Sequence, residues 1–240
     1  MTFTALDIPG RALGVGAHPD DVEFGCGATL AKWAAAGCEV HILVLTDGSK
    51  GSWDDAQDRD DLVAARQDEQ RAAAAALGAI GVHFLGLVDG ELQSGFAERA
   101  RVCEVIRDIR PDVVLGHDPW KRYRIHPDHR YAGFLTLDAI VAARDPHFYP
   151  GQRSAPHRPD RILLFEAEEV DHAEAIEGFL EAKVAALLCH RSQWRSTMRI
   201  HDDPEREIAE FETLIRERAV RAGMEVGLAA AEVFKQIDQV

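Results

Sequence analysis

The sequence predicts an α/β domain in which helices cover both faces of a mostly parallel β-sheet, giving three layers. Short apolar runs and longer helical patterns alternate along the chain, which is the order expected of β-α-β units. The clearest apolar run, residues 39–45 (EVHILVL), carries enough aliphatic side chains to be buried on both faces, as strands of parallel sheets are. With 240 residues, 46% of them hydrophobic, the chain is long enough to bury one full core.

The individual elements follow from apolar periodicity and from the glycines and prolines that interrupt it. Strands are predicted at residues 12–17, 39–45, 82–87, 112–116 and 161–166. Helices are predicted at residues 27–36, 61–77, 96–109, 129–144, 171–188 and 204–237. Residues 145–160 form a long connection that suits either a lid or an oligomer contact. Because no linker or internal repeat divides this pattern, residues 1–240 are predicted to form a single Rossmann-like domain.

Charge and cysteine content restrict the classes of function. The chain has 27 basic and 41 acidic residues, a formal net charge of −14, which argues against nucleic acid because phosphate binding needs a basic face. The four cysteines are scattered without a C-x-x-C pair, so disulfides and a cysteine zinc site are not expected. The sequence shows no signal-peptide pattern and no apolar run long enough to span a membrane. These features predict a cytoplasmic protein without a membrane span.

Two short segments rich in histidine and aspartate follow predicted strands. Residues 17–21 (AHPDD) follow the first strand, and residues 126–129 (HPDH) follow the fourth. Ligands of open parallel sheets bind beyond the carboxyl ends of the strands, so we expect the two segments to converge on one site. Zinc accepts imidazole and carboxylate ligands, and a catalytic zinc site uses three protein ligands plus water. The two segments therefore predict a metal-dependent hydrolase.

Each segment also has a purely structural interpretation. His18 and Asp21 lie three positions apart in a tight turn and can point at one metal, but Asp20 or Asp21 can equally cap a helix. In the second segment one histidine can bind metal while the other donates a proton or polarises a carbonyl, and Asp128 can orient one of the imidazoles. Pro127 and Asp128 also suit the first turn of a helix. Both interpretations hold together if the helix start positions the histidines.

Together the segments resemble the LmbE-like, or PIG-L, superfamily of zinc-dependent de-N-acetylases, which includes the N-acetylglucosaminyl-phosphatidylinositol de-N-acetylases. The resemblance rests on AHPDD followed by GCGATLA, and on HPDHR. Weaker matches are found at residues 46–51 (TDGSKG), 84–86 (FLG) and 190–193 (HRSQ). Residues 118–121 (DPWK) are similar to the diacetylchitobiose deacetylase branch. The matching region covers roughly residues 12 to 195.

The resemblance implies roles position by position. It implies that the metal is held by His18, Asp21 and His129. It implies that the catalytic groups are Asp20 as general base, His126 at the oxyanion or leaving amine, and Asp128 as the neighbouring carboxylate. The expected substrate contacts are Arg66 and Asp89. Trp53 and Trp120 flank the site and can stack on a sugar, or they can have a core or rim role, and Trp120 is counted among the expected contacts. Arg124 stands where some sugar-thiol deacetylases have a tyrosine, so an oxyanion site assisted by tyrosine is not expected.

The leading hypothesis is a zinc-dependent hydrolase that removes the acetyl group from an N-acetylglucosamine-type sugar or conjugate. Zinc is the expected cofactor, and other divalent transition metals fit the same ligands. One alternative is an amidase that removes a larger acyl group from a cysteinyl or antibiotic conjugate. A nucleotide- or sugar-binding module is the other alternative, but residues 25–30 (GCGATL) do not match G-x-G-x-x-G. The exact amino-sugar substrate, a homo-oligomeric state and a site role for His190 are left open.

Overall fold

A computed structural model describes residues 6–238 and residue 240. Its strands are β1 (Arg11–Gly16), β2 (Glu39–Thr46), β3 (Gly81–Leu87), β4 (Val113–His117), β5 (Arg161–Phe165), β6 (His172–Ala175) and β7 (Ala231–Asp238). They form a seven-stranded sheet in the order β3-β2-β1-β4-β5-β7-β6. The strands β1 to β5 are parallel to their neighbours among themselves, and β7 runs antiparallel to β5 and β6. The predicted α/β fold with a mostly parallel sheet is confirmed.

Helices cover both faces of this sheet. They are α1 (Asp21–Ala35), α2 (Arg59–Ala76), α3 (Phe96–Ile109), α4 (Pro127–Arg144), α5 (Leu180–Leu188) and α6 (Pro204–Val226). On one face, Leu13 and Leu43 of the strands pack with α3 and α4. On the other face, Ile42 and Val44 pack with α1, α2 and α5. Alternate residues of one strand thus enter opposite cores, which is why these strands read as continuous apolar runs. None of the described helices is both long and apolar enough to cross a membrane.

The first two helices begin earlier than predicted. The first helix begins at Asp21 rather than at residue 27, and it is kinked at Cys26, whose φ of −149° is not helical. The glycines on either side of Cys26 had suggested a loop there. The second helix begins at Arg59 rather than at residue 61, because the Asp58 side chain accepts hydrogen bonds from the backbone of Asp60 and Asp61.

The C-terminal third contains two strands where helices were predicted, and the two helix predictions were wrong over the residues that form these strands. The helix predicted for residues 204–237 ends at Val226, where Gly227 adopts a φ of 79° and closes the helix. The chain then returns as β7, which completes the sheet beside β5. Within the predicted helix 171–188, residues His172–Ala175 pair with β7 as β6, and α5 starts only at Leu180. These pairings join segments far apart in sequence, so local periodicity carried little sign of them.

Gly133 allows α4 to lie directly against the end of β4. A Cβ atom at this position would meet the His117 carbonyl oxygen at 2.6 Å and the Pro119 side chain at 2.8 Å. We expect Gly133→Ala to lower the free energy of unfolding by about 1–3 kcal/mol, because overpacking forces the helix away from the strand. Gly178→Ala is the matched control, since no atom lies within 4 Å of the added Cβ. Equal unfolding midpoints in urea for the two variants would contradict this close packing.

Candidate metal centre and active site

The two histidine- and aspartate-rich segments lie together at the carboxyl edge of the sheet. β1 pairs with β2 on one side and with β4 on the other, so the order of the strands reverses between β1 and β4. The crevice at such a reversal is where open α/β sheets bind ligands. A cavity of about 1030 Å³ lies here, with His18, Asp21 and His129 in its wall. The turn after β1 supplies the first two side chains, and the first turn of α4 supplies the third.

These three side chains present donor atoms to a common point. One ligand atom from each of His18, Asp21 and His129 lies within 4.8 Å of the other two. The Nδ1 of His18 lies 3.4 Å from one oxygen of Asp21, and the Nε2 of His129 lies 3.3 Å from the other oxygen. The second nitrogen of His18 faces the carboxylates of Asp128 and Asp89, each at 3.1 Å. A histidine that binds metal usually donates its other N–H to a carboxylate in this way, so the donor set fits zinc.

Burial and charge favour the ionisation states that metal ligands need. Burial lowers the pKa of His129 to about 3, so its imidazole is neutral and keeps a lone pair at neutral pH. Burial alone would raise the pKa of Asp21, but the surrounding histidines hold it well below its usual range. Asp21 is therefore a carboxylate, and its backbone partner is the N–H of His18, which donates to it at 2.8 Å.

Asp20 has a different environment from its neighbour Asp21. It is the N-cap residue of α1, but its side chain makes no capping hydrogen bond within the described structure. The side chain is 9% exposed, and burial raises its pKa to about 6 despite the opposing charge of Arg66. Asp20 also lines the cavity. A carboxyl group with a pKa near the working pH is suited to accept and return a proton.

His126 and Asp128 flank the same point but differ in exposure. His126 lines the cavity and is exposed, with its ring centroid 4.9 Å from that of His18. Burial of its ring and the nearby charge of His18 lower the pKa of His126. Asp128 is fully buried and accepts hydrogen bonds from the backbone of Gly90 and Leu92 as well as from the His18 ring. Asp128 thus orients the imidazole of His18.

The three residues expected to contact substrate differ in their access to the cavity. Arg66 and Asp89 line the cavity, but Arg66 is 3% exposed and donates to the carbonyl oxygens of Pro19 and Gly48. Burial would raise the pKa of Asp89, but its hydrogen bond with His18 brings it down to about 2. Trp120 is not among the described residues of the cavity wall.

Instead, the Trp120 ring packs against Phe134 at a centroid distance of 5.9 Å. The structure therefore does not bring Trp120 to the site as expected. Trp53, which also flanks the site in sequence, does line the cavity and is 87% exposed. An exposed indole face in the wall of a cavity is suited to stack on a sugar ring.

A family model matches residues 13–140, more than half of the chain, and it is described as PIG-L, GlcNAc-PI de-N-acetylase. The chain belongs to the PIG-L family. The matched region contains both histidine- and aspartate-rich segments, residues 17–21 and 126–129, so the resemblance seen in the sequence is confirmed.

Individual members of the PIG-L family and their structures give the same result. The diacetylchitobiose deacetylase of Thermococcus kodakarensis is 35% identical over 187 residues, covering 77% of this chain and 70% of the relative. The 1D-myo-inositol 2-acetamido-2-deoxy-alpha-D-glucopyranoside deacetylase of Mycolicibacterium vanbaalenii is 32% identical over 233 residues, covering 76% of this chain and 80% of the relative. The structure of N,N'-diacetylchitobiose deacetylase from Pyrococcus horikoshii superimposes with a TM-score of 0.86 at 29% identity, covering 96% of this chain and 84% of that chain.

The structure adds residues that sequence analysis of this PIG-L family member missed. His117, the last residue of β4, is 2% exposed, and its Nε2 lies 3.3 Å from Asp21. Its ring stacks on that of His129 at 4.5 Å. Glu166 lies beside His117, and Arg124 contacts both Glu166 and His129. A histidine directly after the predicted strand 112–116, before the second motif segment, was the available signal, but His117 was not singled out in the sequence.

Proposed function

We propose that the protein is a zinc-dependent hydrolase that removes the N-acetyl group from an N-acetylglucosamine-type sugar or conjugate. The observation that carries this proposal is the placement of a buried carboxyl group, Asp20, beside three convergent histidine and aspartate side chains in one cavity wall. The relatives described above, which are deacetylases of a diacetylated disaccharide and of an acetamido-sugar inositol, support the acetamido group as the target.

The metal ligands in this proposal are His18, Asp21 and His129. Zinc bound there would lower the pKa of a water molecule and polarise the acetyl carbonyl. Asp128 and Asp89 hold the second nitrogen of His18, so the first nitrogen stays directed at Asp21. The same donors suit other divalent transition metals, and metal content has to be measured on the protein itself.

Asp20 is proposed as the general base. It takes a proton from the attacking water and returns that proton to the amide nitrogen as the C–N bond breaks, so that acetate and a free amine leave. Its pKa of about 6 suits both halves of this transfer. His126, which is exposed and lines the cavity, is proposed to donate its N–H to the acetyl oxygen as negative charge develops there.

The substrate contacts belong to the same proposal. Asp89 and the backbone around Gly90 lie at the cavity wall next to His18 and are proposed to receive sugar hydroxyls. Arg66 is proposed to act near the sugar from its buried position beside Asp20, 3.8 Å away. Of the two tryptophans for which the sequence suggested stacking on a sugar, Trp53 is proposed to have that role, because it lines the cavity. The acidic composition, with a net charge of −14, supports the further proposal that the protein acts in the cytoplasm.

A larger acyl group is a second candidate for the group removed. The cavity volume of about 1030 Å³ exceeds what an acetamido sugar needs. Its lining includes four large apolar side chains, those of Phe24, Met198, Phe211 and Leu214. Apolar side chains in a cavity wall suit an acyl chain or an aglycone. This observation favours an amidase with a larger N-acyl substrate as the alternative.

Acetate release decides between these proposals. Zinc-loaded protein is incubated with N-acetylglucosamine, with N,N'-diacetylchitobiose and with N-acylglucosamines of longer chain length, and released acid and amine are quantified. We expect acetate from at least one of the acetylated sugars, and loss of that activity when a chelator removes the metal. Release of long-chain acids without release of acetate would replace deacetylation by the amidase alternative. No hydrolysis of any of these amides by metal-loaded protein would overturn the proposed function.

A further inference from the structure

The backbone of Asp20 has an unusual conformation. Asp20 has a φ of 99° and a ψ of −24°, in the left-handed region that non-glycine residues adopt only when the surrounding structure supports them. Its own side chain does not supply that support, since it forms no capping hydrogen bond within the described structure. The conformation matters because the same turn places Asp20 and Asp21 next to each other with their carboxylates in different environments.

Helix α2 supplies the support from outside the turn. The Pro19 carbonyl oxygen accepts a hydrogen bond from Arg66 Nη2 at 2.7 Å, and the Asp20 N–H donates to Gln70 Oε1 at 3.1 Å. These two backbone atoms belong to one planar peptide group. Arg66 and Gln70 are four positions apart and therefore lie on one face of α2. Side chains of α2 thus form hydrogen bonds with both polar atoms of this one peptide group and fix its orientation.

The orientation of Gln70 is in turn determined by Glu23. The Nε2 of Gln70 donates to Glu23 Oε1 at 2.5 Å, and both side chains are buried. A carboxylate offers only acceptors, so the amide nitrogen of Gln70 has to face Glu23 and its oxygen has to face Asp20. The other oxygen of Glu23 lies 3.7 Å from the Nε2 of His190, and both residues are fully buried. His190 therefore contacts the Glu23 oxygen that does not bind Gln70, and it is not among the described residues of the cavity wall.

We infer that Gln70, held by the buried Glu23–His190 pair, is a positioning residue that keeps the turn carrying Asp20 and Asp21 in its working orientation. The roles of Asp20 and Asp21 rest on the proposed function. The hydrogen bonds of Arg66 and Gln70 to the Pro19–Asp20 peptide, here called the clamp, are argued from contacts alone. Gln70 is not among the described residues of the cavity wall, so it acts through the peptide and without touching substrate. Its loss leaves the proposed metal-binding and catalytic side chains in the protein but releases the peptide that orients Asp20 and Asp21.

Exchanging donor and acceptor across the Gln70–Glu23 contact tests the inference. Gln70→Glu removes the donor and places a second carboxylate against Glu23. We expect zinc affinity and kcat to fall by about 10–100-fold, as is usual for residues that hold metal ligands, with little change in KM. Adding Glu23→Gln gives the pair a donor again, from position 23 to position 70. We expect this double variant to recover most of both losses, which separate structural damage at the two positions would not do.

The control is Gln67→Glu, the same chemical change one turn earlier on α2, where the side chain is partly exposed and accepts a hydrogen bond from Arg71. It should bind zinc like the wild type. Circular dichroism and thermal unfolding check that each variant is folded. Unchanged zinc affinity and kcat in Gln70→Glu, or a double variant as impaired as the single one, would overturn the positioning role.

One readout is independent of activity. Exchange of the Asp20 amide proton with solvent, followed by NMR, should be faster in Gln70→Leu than in the wild type, because the amide loses its acceptor. If the wild type binds zinc but hydrolyses no amide, the proposed function fails while zinc affinity and amide exchange still test the clamp. Unchanged exchange at Asp20 in a folded Gln70→Leu variant would show that the clamp is wrong.

Discussion

Replacing Asp20 by asparagine is expected to lower kcat for acetate release by about 10²–10⁴-fold, the usual contribution of a general base, while zinc content stays unchanged. The asparagine side chain has the size of aspartate but cannot accept a proton from water. Asp20 is not assigned as a metal ligand, so the metal should remain in place. The measurement is kcat with the best acetylated sugar, together with zinc stoichiometry of the same purified protein.

Asp55→Asn is the matched control for this variant, since Asp55 is exposed on the loop before α2. It removes the same charge without approaching the cavity and should keep wild-type kcat. If Asp20→Asn retained more than a tenth of the wild-type kcat, another group would have to be the base. If it lost zinc as well as activity, the separate roles of Asp20 and Asp21 would be wrong.

Replacing His129 by alanine is expected to lower zinc affinity by more than about 100-fold and to abolish hydrolysis. This loss exceeds the 10–100-fold effect that is typical of residues which only orient ligands. Asp128→Asn falls in that milder class, because Asp128 holds the His18 imidazole and is not proposed as a ligand. Zinc affinity is measured by competition with a chromophoric chelator.

His147→Ala provides the control, because His147 is exposed in the loop after α4. It should bind zinc like the wild type. If His129→Ala kept wild-type zinc affinity, the proposed ligand set would be wrong. The set formed by His18, His126 and Asp128, whose ligand atoms also lie within 4.8 Å of one another, would then be the candidate.

Local patterns were sufficient where one element is specified by its own residues. The apolar run of β2 and the apolar ends of β1 and β4 were found because burial on both faces leaves a direct trace in composition. The strands β6 and β7 were missed because β7 pairs with β5 and with β6, and both partners lie more than 50 positions away from β7 in the chain. Gly227, a typical C′ residue, was the one local signal of the end of α6 that was overlooked.

The candidate site divides in the same way. The motif residues His18, Asp21 and His129 were recognised from spacing and resemblance, because their chemistry is rare in ordinary loops. Gln70 and His117 carried no comparable signal, since a polar residue on a helix face or at a strand end is usually unremarkable in sequence. Trp120 was misplaced for the opposite reason, because closeness along the chain does not determine which way an indole turns.

The sequence by itself determined the fold class, the two strand ends at which the site lies, and the types of side chain available there. Only the tertiary structure decided which nitrogen of His18 faces Asp21, why Asp20 has a raised pKa when Asp21 has a lowered one, and which helix holds their shared turn. Periodicity records whether a segment is buried. The pKa of a carboxyl group depends instead on desolvation, hydrogen bonding and nearby charge, and therefore on its distances to other side chains. Side chains in contact can be far apart in sequence, as His18 and Asp128 are at 110 positions. Such distances exist only once the chain has folded.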